Sequence, residues 1–368
     1  MDRFLILLFF FFSSSLLAQE VSPKASWEKM IENGESKKAL SQIQDFSQNL
    51  IDDEAYDSLP DYLVLYGRIL QANNPSPQAN QKLEKVYLDW ERLSSTPAFR
   101  RRIAKSLANW YEYLGNTTLA YEQTLLALDW AKKDLNLSSE VLAGLYVNLG
   151  GLAVKNMDLP AAKKHLAQVL QIKPAENDAE HIYFANSYLG NIAYFTSNLD
   201  SAAYFYQKTL EAIDLLESNP RNQFYRKSII LNNLAGVQMA QSDFDAAEKS
   251  MNQTILFREK YMATDLDALE YQKVLQDYLS SLDNLAGLYK QMGKYSQAKQ
   301  LLEYSYQRKS EELGEENLNT TKSQILLGQI YFDTQDLEVA RKYLEEGLSR
   351  LQNSGQESAY WQGDGIHT

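Results

Sequence analysis

Small and large apolar residues recur along this chain at long, regular intervals. An alanine returns every 40 to 51 residues, and one helical turn after seven of the eight alanines stands a large apolar residue. The exception follows Ala120 and is Thr124. The alanines are Ala39, Ala79, Ala120, Ala162, Ala202, Ala247, Ala298 and Ala340. This pattern predicts a buried stripe on one helix of each repeated unit.

A second small residue stands twelve positions before each of the last seven alanines, directly after a large apolar residue. These positions hold Gly67, Ala108, Gly150, Gly190, Ala235, Ala286 and Gly328, whereas the first unit has Trp27. Glycine and alanine let two helix backbones approach closely, and the large neighbours fill the space beside that contact. The pattern therefore predicts an all-α fold of about eight stacked helical hairpins.

Glycine and asparagine indicate where the hairpins turn. Gly34, Gly115 and Gly293 fall between the two small residues, where a helix commonly ends in a left-handed residue. Asn74, Asn156 and Asn198 are the next best candidates for that conformation in other units. We expect each of these residues to end a helix.

The repeats are expected to form a single array over residues 24–352. The widest interval, between Ala247 and Ala298, predicts prolonged helices. The expected repeats span about 24–55, 60–93, 100–134, 142–175, 181–217, 226–262, 274–313 and 321–352.

The segment Leu327–Tyr331, followed by Ala340 and Leu344, resembles the tetratricopeptide repeat. The resemblance covers about residues 24–352 and implies a right-handed α-solenoid. Tetratricopeptide units usually have about 34 residues, and the longer intervals here are similar to the long-repeat subtype of kinesin light chains.

The two ends of the chain differ from the repeats. Residues 1–19 contain Arg3, an apolar run over 4–12 and the small residue Ala18, an arrangement typical of a signal peptide. The run resembles export signals of Bacteroidota-type bacteria, so we expect a periplasmic, cell-envelope or secreted protein. Because no later stretch is apolar enough, we expect no transmembrane span in the mature chain. Residues 353–368 are expected to form a flexible tail.

Composition narrows the classes of function. The chain has 36 Lys and Arg against 48 Asp and Glu, and no basic cluster suits nucleic acid. It has no Cys and only three His, so neither thiol chemistry nor a metal centre is expected. His165 lies beside the buried stripe, where a packing role is favoured. No carboxylate pair falls in a predicted pocket. We therefore expect a protein without enzymatic activity or cofactor.

The family resemblance implies that the first helix of each hairpin lines a concave, ligand-binding groove. Carried over position by position, it gives candidate contacts for a protein or peptide segment. They are Lys105, Asn109, Asn148, Asn191, Tyr194, Asn232, Asn233, Asn284 and Lys290, and the same transfer includes Asp283. Amide side chains can pair with an extended peptide backbone. The alternative is that these amides bridge adjacent helices.

Two functions remain open from the sequence. The first is a protein–protein interaction scaffold that binds a peptide or protein segment in the groove. The second is the sensory or regulatory N-terminal portion of a longer protein of the CHAT-peptidase or signalling-kinase type. Some tetratricopeptide proteins clamp a C-terminal carboxylate, but Phe184 and Tyr188 stand where that clamp needs cations.

Overall fold

The computed structural model describes residues 23–172 and 179–353, and these residues contain helices but no strand. The chain divides into two compact units, Met1–Leu135 and Asn136–Thr368. The predicted signal peptide, residues 1–19, lies outside the described residues, as does the predicted tail beyond Asn353. The prediction of an all-α fold is confirmed.

The first unit contains three hairpins and one 3₁₀ helix. The 3₁₀ helix Tyr56–Tyr62 joins the first hairpin to the second. The hairpins are formed by α1 (Pro23–Glu32) with α2 (Ser36–Asp52), α3 (Leu63–Asn73) with α4 (Pro77–Glu91), and α5 (Pro97–Tyr113) with α6 (Thr117–Ala131).

The second unit contains five hairpins. A π-helical turn, Arg221–Arg226, runs directly into the third of them. The first four are α7 (Ser139–Lys155) with α8 (Leu159–Gln171), α9 (Ala179–Phe195) with α10 (Leu199–Asp214), α11 (Lys227–Ala240) with α12 (Phe244–Met262), and α13 (Ala268–Gln291) with α14 (Tyr295–Leu313). The last is α15 (Leu318–Asp333) with α16 (Leu337–Asn353). At 24 residues α13 is the longest helix of the described chain, so the expected prolonged helices are present.

The small residues of the repeat pattern are all buried, and each hairpin holds one of the eight alanines. An ideal Cβ at Gly150 would lie 2.5 Å from Leu166 Cδ2, and one at Gly190 would lie 2.7 Å from the ring of Tyr206. Leu166 and Tyr206 each stand one turn after the alanine of the same hairpin. The glycine on the first helix therefore makes room for a large side chain on the second.

Three of the predicted left-handed residues have that conformation. Gly34, Gly115 and Gly293 have φ angles of 74°, 73° and 73° at the ends of their helices. Asn74 was expected to share it, but its φ is −154° because the chain is extended there. Glycine adopts positive φ without the steric cost that a Cβ imposes, which explains its use at these tight turns.

The expected left-handed conformation is also absent at Asn156, which does cap the end of α7, and at Asn198. The left-handed residues are their neighbours Met157, with φ 60°, and Ser197, with φ 56°. Asn198 instead caps α10, because its side-chain oxygen accepts a hydrogen bond from the backbone N–H of Ser201. Asparagine is among the best residues for that capping position, which explains why it stands at the start of α10 and not in the left-handed turn before it.

Tyrosine and glutamate connect successive hairpins in both units. The hydroxyl of Tyr111 on α5 donates to Glu84 on α4 over 2.8 Å. The hydroxyl of Tyr331 on α15 donates in the same way to Glu303 on α14 over 2.9 Å. Both tyrosines are only 8% exposed. Burial, together with the bond to Glu303, raises the pKa of Tyr331 to about 12.

Candidate functional site

The predicted ligand contacts lie on the first helices of their hairpins. In the first unit, Lys105 and Asn109 are one turn apart on α5, and the Lys105 ammonium donates to the Asn109 side-chain oxygen over 2.7 Å. Burial lowers the pKa of Lys105, and the carboxylate of Glu112 partly opposes that shift. In the second unit, Asn148 is half-buried on α7.

Four asparagines link three successive first helices of the second unit. The Asn233 amide on α11 donates to the Asn191 oxygen on α9 over 3.4 Å. The Asn284 amide on α13 donates to the Asn232 oxygen on α11 over 3.1 Å. We call the surface formed by Asn191, Asn232, Asn233 and Asn284 the amide face. The alternative that these amides bridge adjacent helices is therefore realised in the structure.

Bridging uses only part of what each amide can offer. An asparagine side chain has two donor hydrogens and an acceptor oxygen with two lone pairs. The bridges use the oxygens of Asn191 and Asn232 and the nitrogens of Asn233 and Asn284. The bridges do not use the side-chain nitrogens of Asn191 and Asn232 or the side-chain oxygens of Asn233 and Asn284. Asn191 is buried, but the half-buried Asn232, Asn233 and Asn284 can offer both donors and acceptors to a ligand.

Two glycines leave open space next to the amide face. Gly287 lies three residues after Asn284, and an ideal Cβ there would meet no atom within 4 Å. Gly236 lies three residues after Asn233, and its nearest neighbour would be the hydroxyl of Tyr194 at 3.7 Å. A glycine inside a helix costs about 1 kcal/mol relative to alanine. Neighbouring side chains do not require a glycine at position 287.

The remaining predicted contacts lie at the edges of this surface. Tyr194 is half-buried near the end of α9. The Lys290 ammonium on α13 forms an ion pair with Asp333 on α15 over 3.2 Å and lies 3.5 Å from the Gln329 oxygen. Asn191 is buried and also accepts a hydrogen bond from the Tyr206 hydroxyl over 2.8 Å. The side-chain oxygen of Asn191 thus already accepts hydrogen bonds from two side chains of the protein, those of Tyr206 and Asn233.

Asp283 is not a groove residue, contrary to the transferred position. It is 7% exposed, and its Oδ2 accepts hydrogen bonds from Lys309 and Ser323, with a donor–acceptor distance of 2.5 Å in each. Lys309 is 1% exposed. Sequence reasoning missed this ion pair because a lysine on a polar-looking helix is usually exposed. Its one signal was position, since Lys309 stands eleven residues after Ala298, on the buried side of α14.

The described residues include no group of side chains suited to a metal ion. In the described ranges, no three His, Asp or Glu side chains could together hold a metal ion. His165 is buried, with its ring 6.2 Å from that of Tyr146. No helix among the described residues is both long and apolar enough to cross a membrane.

Comparisons with known proteins agree with this architecture. Residues 277–353 match the tetratricopeptide repeat family. No curated protein matches the sequence of this chain.

Solved structures share the fold at low sequence identity. BtubC (BKLC) from P. vanneervenii is 18% identical, with 71% of this chain and 92% of that chain covered and a TM-score of 0.51. The apo form of RapI is 13% identical, with 93% and 91% covered and a TM-score of 0.60.

A third structure is a longer protein. It is PH0952 from Pyrococcus horikoshii, a signal transduction ATPase with numerous domains (STAND) that has a tetratricopeptide repeat sensor. It is 14% identical, with 81% of this chain and 46% of that chain covered and a TM-score of 0.54. This chain thus spans less than half of that protein. Together, the hairpins and these matches show that the chain has an all-α fold of tetratricopeptide-type helical hairpins.

Proposed function

We propose that this chain is a non-enzymatic interaction scaffold that binds an extended polypeptide segment across the amide face. The observation that carries the proposal is the set of amide atoms that the bridges between α9, α11 and α13 do not use. We also propose that the protein acts after export, in the periplasm, in the cell envelope or outside the cell. The signal-peptide layout of residues 1–19 supports this location.

An extended peptide matches the chemistry of the amide face. Its backbone presents both N–H donors and C=O acceptors. The free nitrogen of Asn232 and the free oxygen of Asn284 offer one partner of each kind. Because these two side chains are hydrogen-bonded to each other, they are already ordered before a ligand arrives. Such pre-organisation reduces the entropy that binding costs.

The open space at Gly287 supports the same ligand. A main chain can approach a helix most closely where no Cβ intervenes. Gly236 provides a second such place on the neighbouring helix. A peptide that crosses α11 and α13 could therefore lie close to both backbones. A bulky side chain at position 287 should then block the ligand without disturbing the fold.

The test is a selection of displayed peptides on the immobilised full chain, followed by calorimetric titration of the enriched sequences. We expect Gly287→Leu to abolish their binding and the matched control Gln297→Leu, exposed on α14, to leave it intact. Circular dichroism checks that both variants are folded. If the enriched peptides bind Gly287→Leu as tightly as the unaltered chain, the proposal is wrong.

Export is tested separately by fusing residues 1–19 to an alkaline phosphatase that is active only outside the cytoplasm. Phosphatase activity is the expected result. Its absence, in cells that make the full-length fusion, would remove the proposed location.

The second candidate function is a sensor segment of a longer signalling protein or CHAT peptidase. It is favoured by the STAND protein above, in which the tetratricopeptide repeat sensor is part of a longer chain. This candidate predicts an in-frame continuation of the coding sequence beyond Thr368. A stop codon at that point in the genomic DNA would exclude it.

A further inference from the structure

The outer surface of α16 repeats a pattern that other second helices bury against the next hairpin. One turn after Ala340 come Leu344 and Glu345, with Leu348 one turn further on. We call these three residues the terminal face. Leu344 is half-buried against Gly328 of its own hairpin, where an ideal Cβ would lie 2.8 Å from its Cγ, and Leu348 is 41% exposed. At the position of Leu344, the seven other hairpins hold residues that are at most 2% exposed.

Two earlier helices show what such a face binds. On α4, Leu83 and Glu84 occupy the positions of Leu344 and Glu345, and Glu84 accepts the hydroxyl of Tyr111. On α14, Leu302 and Glu303 occupy them, and Glu303 accepts the hydroxyl of Tyr331. Leu83 and Leu302 are 0% and 1% exposed. The two interfaces therefore share one arrangement, a fully buried leucine followed by a glutamate that binds a phenol.

Among the eight hairpins, glutamate stands five positions after the alanine on α4, α14 and α16. Where another residue stands there, tyrosines of the following hairpin bind other groups: Tyr66 on α3 hydrogen-bonds to Gln44, and Tyr289 on α13 donates to Glu248. The residues at this position in the other hairpins are Gln44, Leu125, Ala167, Gln207 and Asn252. Glu345 is exposed, and none of the ion pairs among the described residues includes it. Glu345 therefore occupies the position at which Glu84 and Glu303 accept a tyrosine hydroxyl.

The spacing on α5 and α15 defines the partner further. In both helices the tyrosine follows a leucine by four residues, Leu107 before Tyr111 and Leu327 before Tyr331. Residues four apart lie on the same side of a helix. Leu107 and Leu327 are both buried. A partner for the terminal face therefore needs a large apolar residue one turn before a tyrosine.

We propose that the terminal face is a docking site for an amphipathic helix of another protein, which places a tyrosine hydroxyl on Glu345 and an apolar side chain over Leu344 and Leu348. A second copy of this chain fits less well, because Tyr111 and Tyr331 already bind Glu84 and Glu303. The segment after Asn353 also lacks the motif, since the residue four before Tyr360 is the polar Gln356. This docking site is separate from the amide face.

The test uses a fluorescent peptide with the sequence of α15, residues 318–333, as a surrogate partner helix. Fluorescence anisotropy measures its binding to the full chain. A hydrogen bond between a neutral donor and a carboxylate is worth about tenfold in affinity or more. We therefore expect Glu345→Gln to weaken binding about tenfold, and a peptide with Tyr331→Phe to lose about as much. Combining the two changes should cause no further loss.

The matched control is Glu338→Gln, a glutamate on the same helix that pairs only with nearby Arg341. It should leave binding unchanged, and so should Gly287→Leu, which separates this proposal from the proposed function. Equal affinity of the peptide for Glu345→Gln and the unaltered chain would overturn the proposal. So would the absence of binding, or binding only to a chain shortened after Asn353, since the tail would then occupy the face. A stable dimer that buries Glu345 would refute it as well.

Discussion

Replacing Gly150 by alanine tests the close contact inside a hairpin, with Gly287→Ala as its matched control. Both glycines lie inside first helices of the second unit. Alanine is about 1 kcal/mol more favourable than glycine in a helix interior, and both variants receive that gain. They differ in what the new methyl group meets.

At position 287 the methyl group meets no atom within 4 Å, so the gain is kept. At position 150 it would lie 2.5 Å from Cδ2 and 2.6 Å from Cγ of Leu166, which is fully buried. Relieving such overpacking costs about 1 to 3 kcal/mol. We expect Gly287→Ala to raise the free energy of unfolding by about 1 kcal/mol. Gly150→Ala should instead leave it unchanged or lower it by up to about 2 kcal/mol.

Urea denaturation followed by circular dichroism measures the difference between the two variants. The midpoint of Gly287→Ala should rise, that of Gly150→Ala should stay the same or fall, and the slope of each transition should stay constant. If Gly150→Ala were stabilised as much as Gly287→Ala, the two helices of the hairpin would not be in close contact there. The packing argument for the other glycines would then fail with it.

Two further predictions concern buried polar groups. Lys309→Met should lower the free energy of unfolding by about 3 to 5 kcal/mol, because Asp283 stays buried without its cation. Adding Asp283→Leu should recover most of this loss in thermal melts. A double variant that recovers no stability would contradict this reasoning. The raised pKa of Tyr331 means that its stabilising effect is complete below pH 10 and is lost as the pH rises towards about 12. Denaturation at several pH values should show a shallower decline for Tyr331→Phe, and an unchanged decline would contradict the assignment.

The hairpins could be derived from sequence because they depend on local spacing. A small residue at one position and a large residue one turn after the partner alanine specify which side of each helix is buried. Gly150 and Leu166 meet as that pattern requires. The left-handed turns were predictable only at glycine. Met157 and Ser197 adopt positive φ because the surrounding helices impose it, although neither residue favours it.

The candidate site was predictable only in part. The pattern placed Asn232 and Asn284 on the same side of successive first helices, but not in mutual contact. Their hydrogen bond joins residues 52 positions apart, so it depends on how one hairpin stacks on the next. Asp283 looked like a ligand contact by position, yet the stacking of α14 and α15 encloses it.

Periodicity in the amino-acid sequence was enough to establish the helices, their pairing and their buried sides, because the geometry of a single helix sets these properties. Stacking between hairpins decided which amides meet, that Lys309 pairs with Asp283, and that Glu84 and Glu303 accept tyrosine hydroxyls from the next hairpin. Such contacts join residues that are distant in sequence, and a few degrees of rotation between helices can make or break them. That rotation results from the packing of all neighbouring side chains together, and no local pattern encodes it.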